Sequence, residues 1–450
     1  MASSRKSISD LSGRVADALA PVVPHGSSLL LGLSGGLDSV VLLHVLAQLS
    51  PSFSWRLSAL HVHHGISPHA DAWAEFCAEV CAGHAVPLQV ERVDITPLRD
   101  MGIEAAARQL RHAALARQPV DFIALAHHRD DQAETLLLQL LRGAGVRGGS
   151  AMPLLKTRAG APALLRPLLG FERGELERYA REQGLRWVED ESNADVGYPR
   201  NFLRHRVLPI LAQRFPAYRA TLARSARHFA EAAELLDELA ALDAAMAVQG
   251  DHLRVEVLRQ LSVARGKNLL RHFLAARRAP IPDHTRLAEM LRQLCEARAD
   301  ARLRITWQGW QLRCYRAHAY VLPQTLPPRE FALDWRGEAE LILPDPHGVL
   351  HFEVVQGQGI SREKLRQGGV QVRSRHGDVS IQPAATRPHL SLRKLLQEQG
   401  MPPWQRELLP LLYSGEELVC VPGVAVSARY QAQADEPGVV PSWHANNQCP

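Results

Sequence analysis

Residues 29–43 constrain the fold more than any other part of this 450-residue chain. They begin with an apolar run, residues 29–33, whose length suits a buried strand, and they end in an apolar run that suits the first turns of a helix. Gly35 and Gly36 stand between the two runs. Glycines at such a turn let backbone N–H groups approach an anion closely, and the start of the helix adds unpaired donors. The stretch therefore predicts a strand, a tight turn and a helix that together bind phosphate.

This turn differs from a kinase-type phosphate loop because it lacks the lysine that such a loop carries. The glycines are followed by Leu37, Asp38 and Ser39 rather than by Gly-Lys-Ser/Thr. Asp38 brings a carboxylate to the position of the missing cation, so we expect a magnesium ion associated with pyrophosphate beside it. A serine-capped helix after a glycine turn is the simpler alternative interpretation.

The motif Ser34-Gly35-Gly36-x-Asp38-Ser39 resembles the PP-loop of the ATP pyrophosphatase superfamily, whose members cleave ATP between the α and β phosphates. This resemblance implies that the chain binds and cleaves ATP. The motif also lies in the strand–turn–helix context that a PP-loop requires, which strengthens the match beyond a coincidence of residue types.

Alternating patterns follow the motif. Strand-like runs at residues 58–63, 88–93 and 122–126 are separated by helical patterns at 71–82 and 103–117. Such alternation indicates βαβ units and a parallel sheet, with ligands bound at the carboxyl ends of the strands. The predicted fold class is α/β: a Rossmann-like parallel-sheet PP-loop domain, followed by a mainly helical domain and a small α+β C-terminal domain.

Changes in pattern along the chain predict the domain boundaries. We assign residues 1–215 to the PP-loop catalytic domain and residues 216–322 to a helical domain that begins with a long alanine- and leucine-rich helix. After a proline-rich linker, residues 330–430 form the α+β domain. Residues 431–450 show little periodicity and are predicted to be a flexible tail.

Composition limits the setting in which the chain works. Hydrophobic residues make up 46% of it and charged residues 22%, as in ordinary globular proteins. No apolar run approaches the roughly twenty residues of a membrane span, and the N-terminus lacks a signal-peptide pattern. We therefore expect a cytoplasmic protein with no membrane partner. A net charge of +5 is compatible with a nucleic-acid partner without requiring one.

Further motifs narrow the resemblance to the tRNA(Ile)-lysidine synthases. They match that family in order and spacing at residues 59–65, 70–73, 104–108, 126–135, 187–195, 200–204 and 391–413. Arg129 stands where small residues are more usual and Glu191 where proline is more usual, but neither replaces a group that the chemistry needs. The resemblance covers most of the chain, and the middle helical domain is its least distinctive part.

The family resemblance implies a two-step reaction. Its members use ATP to adenylate the C2 oxygen of the wobble cytidine in a CAU-anticodon isoleucine tRNA, and the ε-amine of free L-lysine then displaces AMP. The implied substrates are ATP with Mg²⁺, L-lysine and tRNA(Ile), and the products are lysidine, AMP and pyrophosphate. Nothing in the sequence argues for or against a homodimer.

The resemblance and the residue chemistry together indicate which side chains handle the nucleotide. Phosphate-binding donors and a carboxylate belong at the turn, and the end of the second strand lies beside the adenosine by the switch-point rule. The predicted ATP-binding residues are Ser34, Gly35, Gly36, Leu37, Asp38, Ser39, His61 and His63. The predicted magnesium ligands are Asp38 and Asp131.

Lysine needs acidic neighbours, because its ε-amine has a reference pKa of about 10.4 and must lose a proton before it attacks. The predicted lysine-binding residues are Glu104, Arg108, Asp130, Asp131 and Glu134. The predicted catalytic residues are Asp38, Asp131 and Glu134, and sequence alone does not divide the roles among the acidic residues at 130, 131 and 134. The predicted tRNA-binding residues are Arg200, Arg204, Arg206, Arg393, Lys394 and Arg406.

Several alternatives stay open at this point. A solvated basic face explains each arginine about as well as a tRNA contact does, and Asp130 and Glu134 also suit a helix N-terminus. Zinc binding by the two His-His pairs is disfavoured, since no complementary Cys/His pair occurs at helical spacing.

The sequence leaves three alternative functions to compare with lysidine synthesis. A PP-loop tRNA 2-thiolase is the main alternative enzyme, although it would want reactive or cluster-binding cysteines, and the spacing of Cys77 and Cys81 argues against them. A small-molecule ligase of the argininosuccinate- or GMP-synthase type would not explain the appended domains. A non-catalytic nucleotide sensor or tRNA-binding adaptor is disfavoured because the acidic and PP-loop motifs are intact.

Overall fold

A computed structural model describes residues 5–158, 160–298, 303–324, 326–377 and 379–445 of the chain. The chain divides into two compact units, Met1–Leu235 and Leu236–Pro450. The strands of the first unit are β1 (Ser28–Gly32), β2 (Arg56–His63), β3 (Leu88–Arg92), β4 (Phe122–Ala124), β5 (Leu155–Arg158) and β6 (Ala161–Leu165). Its helices are α1 (Arg5–Leu19), α2 (Leu37–Phe53), α3 (Ala70–Gly83), α4 (Ile103–Ala116), α5 (Arg129–Leu141), α6 (Val146–Gly149), α7 (Arg173–Glu182), α8 (Pro199–Phe202) and α9 (Leu208–Arg214). The next helix, α10 (Tyr218–Ala247), contains the boundary between the units.

The first unit is built on a six-stranded sheet in the order β3-β2-β1-β4-β6-β5. All neighbouring strands are parallel except β5, which runs antiparallel to β6. The predicted α/β class and its four predicted strands are thereby confirmed. The strand order reverses at β1, which has β2 on one side and β4 on the other. Because ligands bind beside such a reversal, the loops after β1, β2 and β4 frame the expected site.

Side chains of β1 alternate between two hydrophobic clusters on opposite faces of the sheet. Leu29 and Leu31 join the cluster that includes buried residues of α1, α2, α3 and α7. Leu30 faces the other way and joins Ala114 and Leu115 of α4. A fully buried leucine contributes about 1.5–3 kcal/mol, so this short strand is a firm base for the turn that follows it.

The second unit begins with a region that combines helices and a sheet. After α10 it contains β7 (Val248–Gln249), β8 (His252–Arg254), α11 (Val255–Gln260), α12 (Val263–Ala276), α13 (His284–Glu296), β9 (Arg304–Trp307), β10 (Trp310–Tyr315) and β11 (His318–Pro323). The predicted long helix is present as α10, but the five-stranded sheet β7-β8-β11-β10-β9 was not predicted from the sequence.

The remaining part of the second unit is an α+β arrangement, as predicted. Its elements are β12 (Ala332–Trp335), β13 (Glu340–Ile342), β14 (Val349–Gln356), β15 (Ile360–Ser361), α14 (Arg362–Gly368), β16 (Val370–Arg373), β17 (Ser380–Ile381), β18 (Leu390–Ser391), α15 (Leu392–Glu398), α16 (Pro403–Leu408), β19 (Leu411–Ser414), β20 (Glu417–Val421), β21 (Ala425–Val426) and β22 (Pro437–His444). A five-stranded sheet, β12-β16-β19-β20-β21, and a four-stranded sheet, β13-β14-β22-β15, form its frame. No helix in the described part of the chain is long and apolar enough to cross a bilayer.

The segment predicted to be a flexible tail differs from that prediction. Its strand β22 pairs antiparallel with β14 along its whole length, and Val439 is only 2% exposed within the C-terminal core. This strand was missed because it contains Pro437 and Pro441, and a proline within a short run of residues disfavours the prediction of a strand. Residues 446–450 lie outside the described residues.

Candidate active site

The turn between β1 and α2 has the geometry that its sequence predicts. Gly35 has a φ of +83°, and Gly36 is the N-cap of α2 with an extended backbone. The Ser39 hydroxyl donates to the Gly36 carbonyl at 2.9 Å, and the Ser34 hydroxyl accepts from the Gly36 N–H at 3.4 Å. The two serines therefore fix the turn, while the first N–H groups of α2 have no partner within the helix and can meet an anion.

Gly35 is a position that no other residue fills without strain. A Cβ at Gly35 would lie 3.0 Å from Val188 Cγ2 and 3.2 Å from Cys77 Sγ, and a positive φ adds further cost. We expect Gly35→Ala to lower the free energy of unfolding by about 1–3 kcal/mol. Gly36→Ala is the matched control, because its φ is −73° and a Cβ there meets nothing closer than 3.5 Å. Equal losses of stability in the two variants, measured by urea unfolding, would contradict this account.

Acidic side chains gather where β4 ends and α5 begins. Asp131 occupies the first turn of α5 and accepts a hydrogen bond from the His128 backbone N–H at 2.9 Å, which closes a capping box. Glu134 follows one turn later on the same face, and its side chain is 1% exposed. The start of the helix thus directs two carboxylates into the interior of the site.

His128 joins this helix to the turn after β1. Its ring is buried, and its Nε2 lies 3.6 Å from Asp38 Oδ2 and 3.4 Å from Asp131 Oδ2. Its Nδ1 lies 3.6 Å from Asp130 Oδ2. Burial alone would lower the pKa of His128, but the carboxylates around it raise that pKa to about 10. The imidazolium therefore holds Asp38 and Asp131, the two predicted magnesium ligands, on one side of a single ring.

Two arginines complete the cluster, and sequence reasoning did not place them here. Arg200 donates to Asp131 Oδ1 and Glu134 Oε2, both at 2.7 Å. Arg204 donates to Glu134 Oε1 at 2.7 Å and to Asp131 Oδ1 at 3.2 Å. Both arginines lie on a helical segment made of α8, one π-helical turn (Leu203–Val207) and α9.

The spacing of the two motifs contains a signal for this pairing. Arg200 and Arg204 are four residues apart, Asp131 and Glu134 are three apart, and both spacings put the partners on one face of a helix. The predicted contacts of these arginines with tRNA stay a prediction. Such contacts would require the guanidinium groups to exchange partners.

Removal of one charge from this cluster should destabilise the protein. We expect Glu134→Gln to lower the free energy of unfolding by about 3 kcal/mol, because two half-buried guanidinium groups each lose one of their two carboxylate partners. Glu177→Gln is the control, since Glu177 pairs with Arg181 at the surface, where such a pair contributes less than about 1 kcal/mol. Denaturant titration of both variants measures the difference, and similar losses would show that the buried cluster contributes little.

Asp130 points away from Asp131 and is engaged on several sides. It accepts from the Arg173 backbone N–H at 3.0 Å and from Arg219 Nε. Burial would raise its pKa, but His128 and these donors hold the pKa of Asp130 well below its usual value. A cavity of about 500 Å³ adjoins it. The cavity is bordered by His128, Asp130, Glu134, Glu172, Arg173, Gly174, Glu177, Arg204, Leu208, Pro209, Ala212, Tyr218 and Arg219.

The two histidines predicted to contact ATP lie at the carboxyl end of β2, next to β1 in the sheet. His61 is buried, its Nδ1 lies 3.0 Å from the Leu33 carbonyl oxygen, and burial lowers its pKa. His63 is also buried, with Nε2 3.2 Å from Asp71 Oδ1. Both rings thus support the wall of the site, and their contact with nucleotide stays a prediction.

The remaining predicted residues fall into three groups. Glu104 and Arg108 lie exposed on the first turns of α4. Partial desolvation, together with the positive charge of Arg200, lowers the pKa of Arg108. Arg206, Arg393 and Lys394 are exposed and available to a partner. Arg406 instead donates to the Met401 carbonyl at 2.6 Å and to the Tyr315 hydroxyl at 2.7 Å within the second unit.

Comparisons with known proteins agree with this geometry. A model of the PP-loop domain matches residues 9–211, a model of the TilS substrate binding domain matches residues 253–320, and a model of the TilS substrate C-terminal domain matches residues 370–443. The PP-loop match implies that the chain uses ATP.

Two relatives match almost the whole chain. The tRNA(Ile)-lysidine synthase of Nitrosomonas europaea is 44% identical over 425 residues, which cover 94% of this chain and 93% of that protein. The tRNA(Ile)-lysidine synthase of Azoarcus sp. strain BH72 is 41% identical over 449 residues, which cover 96% of each chain. This chain belongs to the tRNA(Ile)-lysidine synthase family. That membership confirms the resemblance found in the sequence motifs.

The cysteines of this lysidine synthase family member also bear on the thiolase alternative. Burial raises the pKa of Cys77 to about 12 and the pKa of Cys81 to about 11. A thiol becomes a nucleophile or a cluster ligand only as a thiolate, so these buried groups are unsuited to either role. The thiolase interpretation therefore has less support than the lysidine synthase interpretation.

Proposed function

We propose that this protein ligates L-lysine to C2 of the wobble cytidine in a CAU-anticodon isoleucine tRNA, through an adenylated tRNA intermediate. Lysidine, AMP and pyrophosphate are the products. The observation that carries this proposal is the meeting of the PP-loop with a cluster of buried carboxylates through His128. A reaction that first transfers a nucleotide and then admits an amine needs both parts at one place.

The PP-loop holds the phosphates of ATP in this proposal. Ser34, Ser39 and the N–H groups after Gly36 supply donors at the start of α2, where the helix dipole favours negative charge. The adenosine lies toward His61 and His63, since the carboxyl end of β2 is adjacent to β1 in the sheet.

Asp38 and Asp131 would hold the magnesium ion. The fit rests on Asp38 Oδ1, a buried carboxylate oxygen without a hydrogen-bond partner among the described residues. Within the described residues no group of three or more His, Cys, Asp or Glu side chains could hold a metal alone. Magnesium commonly takes one or two carboxylates and completes its shell with phosphate oxygens and water. Bound magnesium would neutralise the charge that builds up on the leaving pyrophosphate.

Asp131 and Glu134 are the proposed partners of the lysine ε-amine. Arg200 and Arg204 already neutralise these carboxylates, so the incoming ammonium would replace a guanidinium and find acceptors in the same geometry. The displaced arginine would then face the phosphate of the adenylate. Arg108, on the first turns of α4, would take the lysine carboxylate, and Glu104 in the same turns would take the α-amine.

The regions after residue 215 would bind the tRNA body in the cytoplasm, with Arg393 and Lys394 as exposed candidates for phosphate contacts and Arg206 of the catalytic domain as a further one. We retain residues 216–322 and 330–430 as the proposed tRNA-binding domains. Lysine attached to the cytidine would change its pairing preference from guanine to adenine, so codon reading and charging would switch from methionine to isoleucine.

Transfer of labelled L-lysine to a CAU-anticodon isoleucine tRNA, with ATP and magnesium, tests this function. We expect a label that survives mild alkali, depends on Asp38 and is absent with an elongator methionine tRNA. Pyrophosphate release on addition of tRNA without a stable label would keep the PP-loop assignment, overturn lysine as the nucleophile and favour the thiolase alternative.

A further inference from the structure

Asp130 is surrounded by groups of the protein itself. One carboxylate oxygen accepts from Arg219 Nε, and the other accepts from the Arg173 N–H at 3.0 Å and faces His128 Nδ1 at 3.6 Å. Its side chain is 14% exposed. The two donors come from the first turns of α7 and α10, so two elements besides α5 fix this carboxylate in place.

The His128 ring is the group on which Asp130 acts. Asp130 lies on the Nδ1 side of the ring, and Asp38 and Asp131 both lie on the Nε2 side. The 3.6 Å between Asp130 Oδ2 and His128 Nδ1 is longer than a hydrogen bond, and this buried nitrogen has no hydrogen-bond partner among the described residues, so the contact is an ion pair. Because an imidazole is rigid, attraction on its Nδ1 side also sets where Nε2 points. This is the arrangement in which an outer carboxylate orients a histidine that acts on an inner site.

Arg219 is held as firmly as Asp130. Its guanidinium lies 4.6 Å from the centre of the Tyr218 ring, and Tyr218 packs with Ala133 of α5 and Leu208 of α9. Ala133 stands between Asp131 and Glu134 in the sequence. The apolar contact and the ion pair therefore tie the start of α10 to the helix that carries the two inner carboxylates.

We propose that Asp130 and Arg219 are positioning residues for the adenylation step, which hold His128 so that Asp38 and Asp131 face each other across the nucleotide site. Asp130 then acts through His128 and does not bind lysine, in contrast to the role expected from the sequence. This inference rests on the proposed function, because it assigns residues to the first half-reaction of that function.

Measuring the two half-reactions separately distinguishes a positioning role of Asp130 from a lysine-binding role. Adenylation is measured as pyrophosphate release from ATP at saturating tRNA and without lysine, and lysine transfer is measured as a function of lysine concentration. For Asp130→Asn and Arg219→Gln we expect adenylation to slow by at least about 10-fold, while the KM for lysine changes by less than about threefold. Arg219→Lys should recover part of the adenylation rate, because it restores the charge beside Asp130.

Two controls separate an effect on the site from a general effect of substitution or unfolding. Arg181→Gln removes a surface arginine of the same unit whose ion pair is with the partly exposed Glu177, and it should leave both constants unchanged. Thermal unfolding of each variant shows that it is folded, and Arg219→Gln tests the inference even where Asp130→Asn fails to fold.

Two results would overturn the inference. A rise of more than about 10-fold in the KM for lysine with an unchanged adenylation rate would make Asp130 a lysine ligand. Unchanged constants in Arg219→Gln, with active wild-type protein, would remove the positioning role. Failure of the wild-type protein itself to transfer lysine would instead contradict the proposed function.

Discussion

The Asp38→Asn variant should release pyrophosphate from ATP at least about 100-fold more slowly than the wild-type protein, because it loses a charge that acts on the reacting phosphates. The amide keeps the shape of the side chain, so the turn and α2 should fold normally. In the wild-type protein, Asp38 Oδ1 has no hydrogen-bond partner among the described residues, so the substitution breaks no hydrogen bond of that oxygen. The substitution does weaken the ion pair between Asp38 Oδ2 and His128 Nε2, but Asp130 and Asp131 still face that ring, so we expect the loss of rate to be much larger than the loss of stability.

The magnesium dependence of this variant carries further information. We expect half-maximal activity to require a higher magnesium concentration, because one of the two proposed carboxylate ligands is gone. Asp17→Asn is a suitable control, since Asp17 is exposed on α1 in the same unit. Wild-type pyrophosphate release by Asp38→Asn, with unaltered magnesium dependence, would contradict the proposed role of this residue.

The parts of the site that depend on neighbouring residues could be predicted from the sequence. The β1 strand, the turn at Gly35 and the start of α2 form one continuous stretch, and each has a local signal in periodicity or glycine position. The carboxylates at the start of α5 follow from the end of β4 in the same way. Such features need no knowledge of distant contacts.

The ion pairs between α5 and the α8–α9 segment could not be predicted in that way. Arg200 lies 66 residues from Glu134 in the sequence, and only packing of two helices brings them together. A cationic motif in a protein that handles nucleic acid also has an obvious alternative partner in phosphate. Sequence reasoning assigned these arginines to tRNA because it had no means to see the buried carboxylates opposite them.

The sheet in the middle of the chain was missed for a different reason. The turns of its two longer hairpins, Gln308-Gly309 and Arg316-Ala317, have positive φ without the Asn-Gly or Asp-Gly pair that marks such a turn most clearly. The turn with a usual pair, Gly250-Asp251, joins the very short strands β7 and β8. The strands are short, and the tertiary core rather than local preference stabilises them. Their existence is therefore decided by packing against α12 and α13.

Asp131→Asn should slow lysine transfer by about 100-fold or more, within the range for loss of a group that accepts a proton in the reaction. The asparagine retains an oxygen that can accept the His128 N–H, now 2.9 Å from Asp131 Oδ2, so the helix cap persists. It loses the charge that faces Arg200, Arg204 and the incoming ammonium. Binding of tRNA should weaken by less than about threefold, because an exposed phosphate contact is not altered.

Turnover and the tRNA dissociation constant are measured on the same preparation, and equal losses in both would count against Asp131 as a catalytic residue. A loss confined to tRNA binding would instead assign the Asp131–Arg200 pair to the tRNA interface.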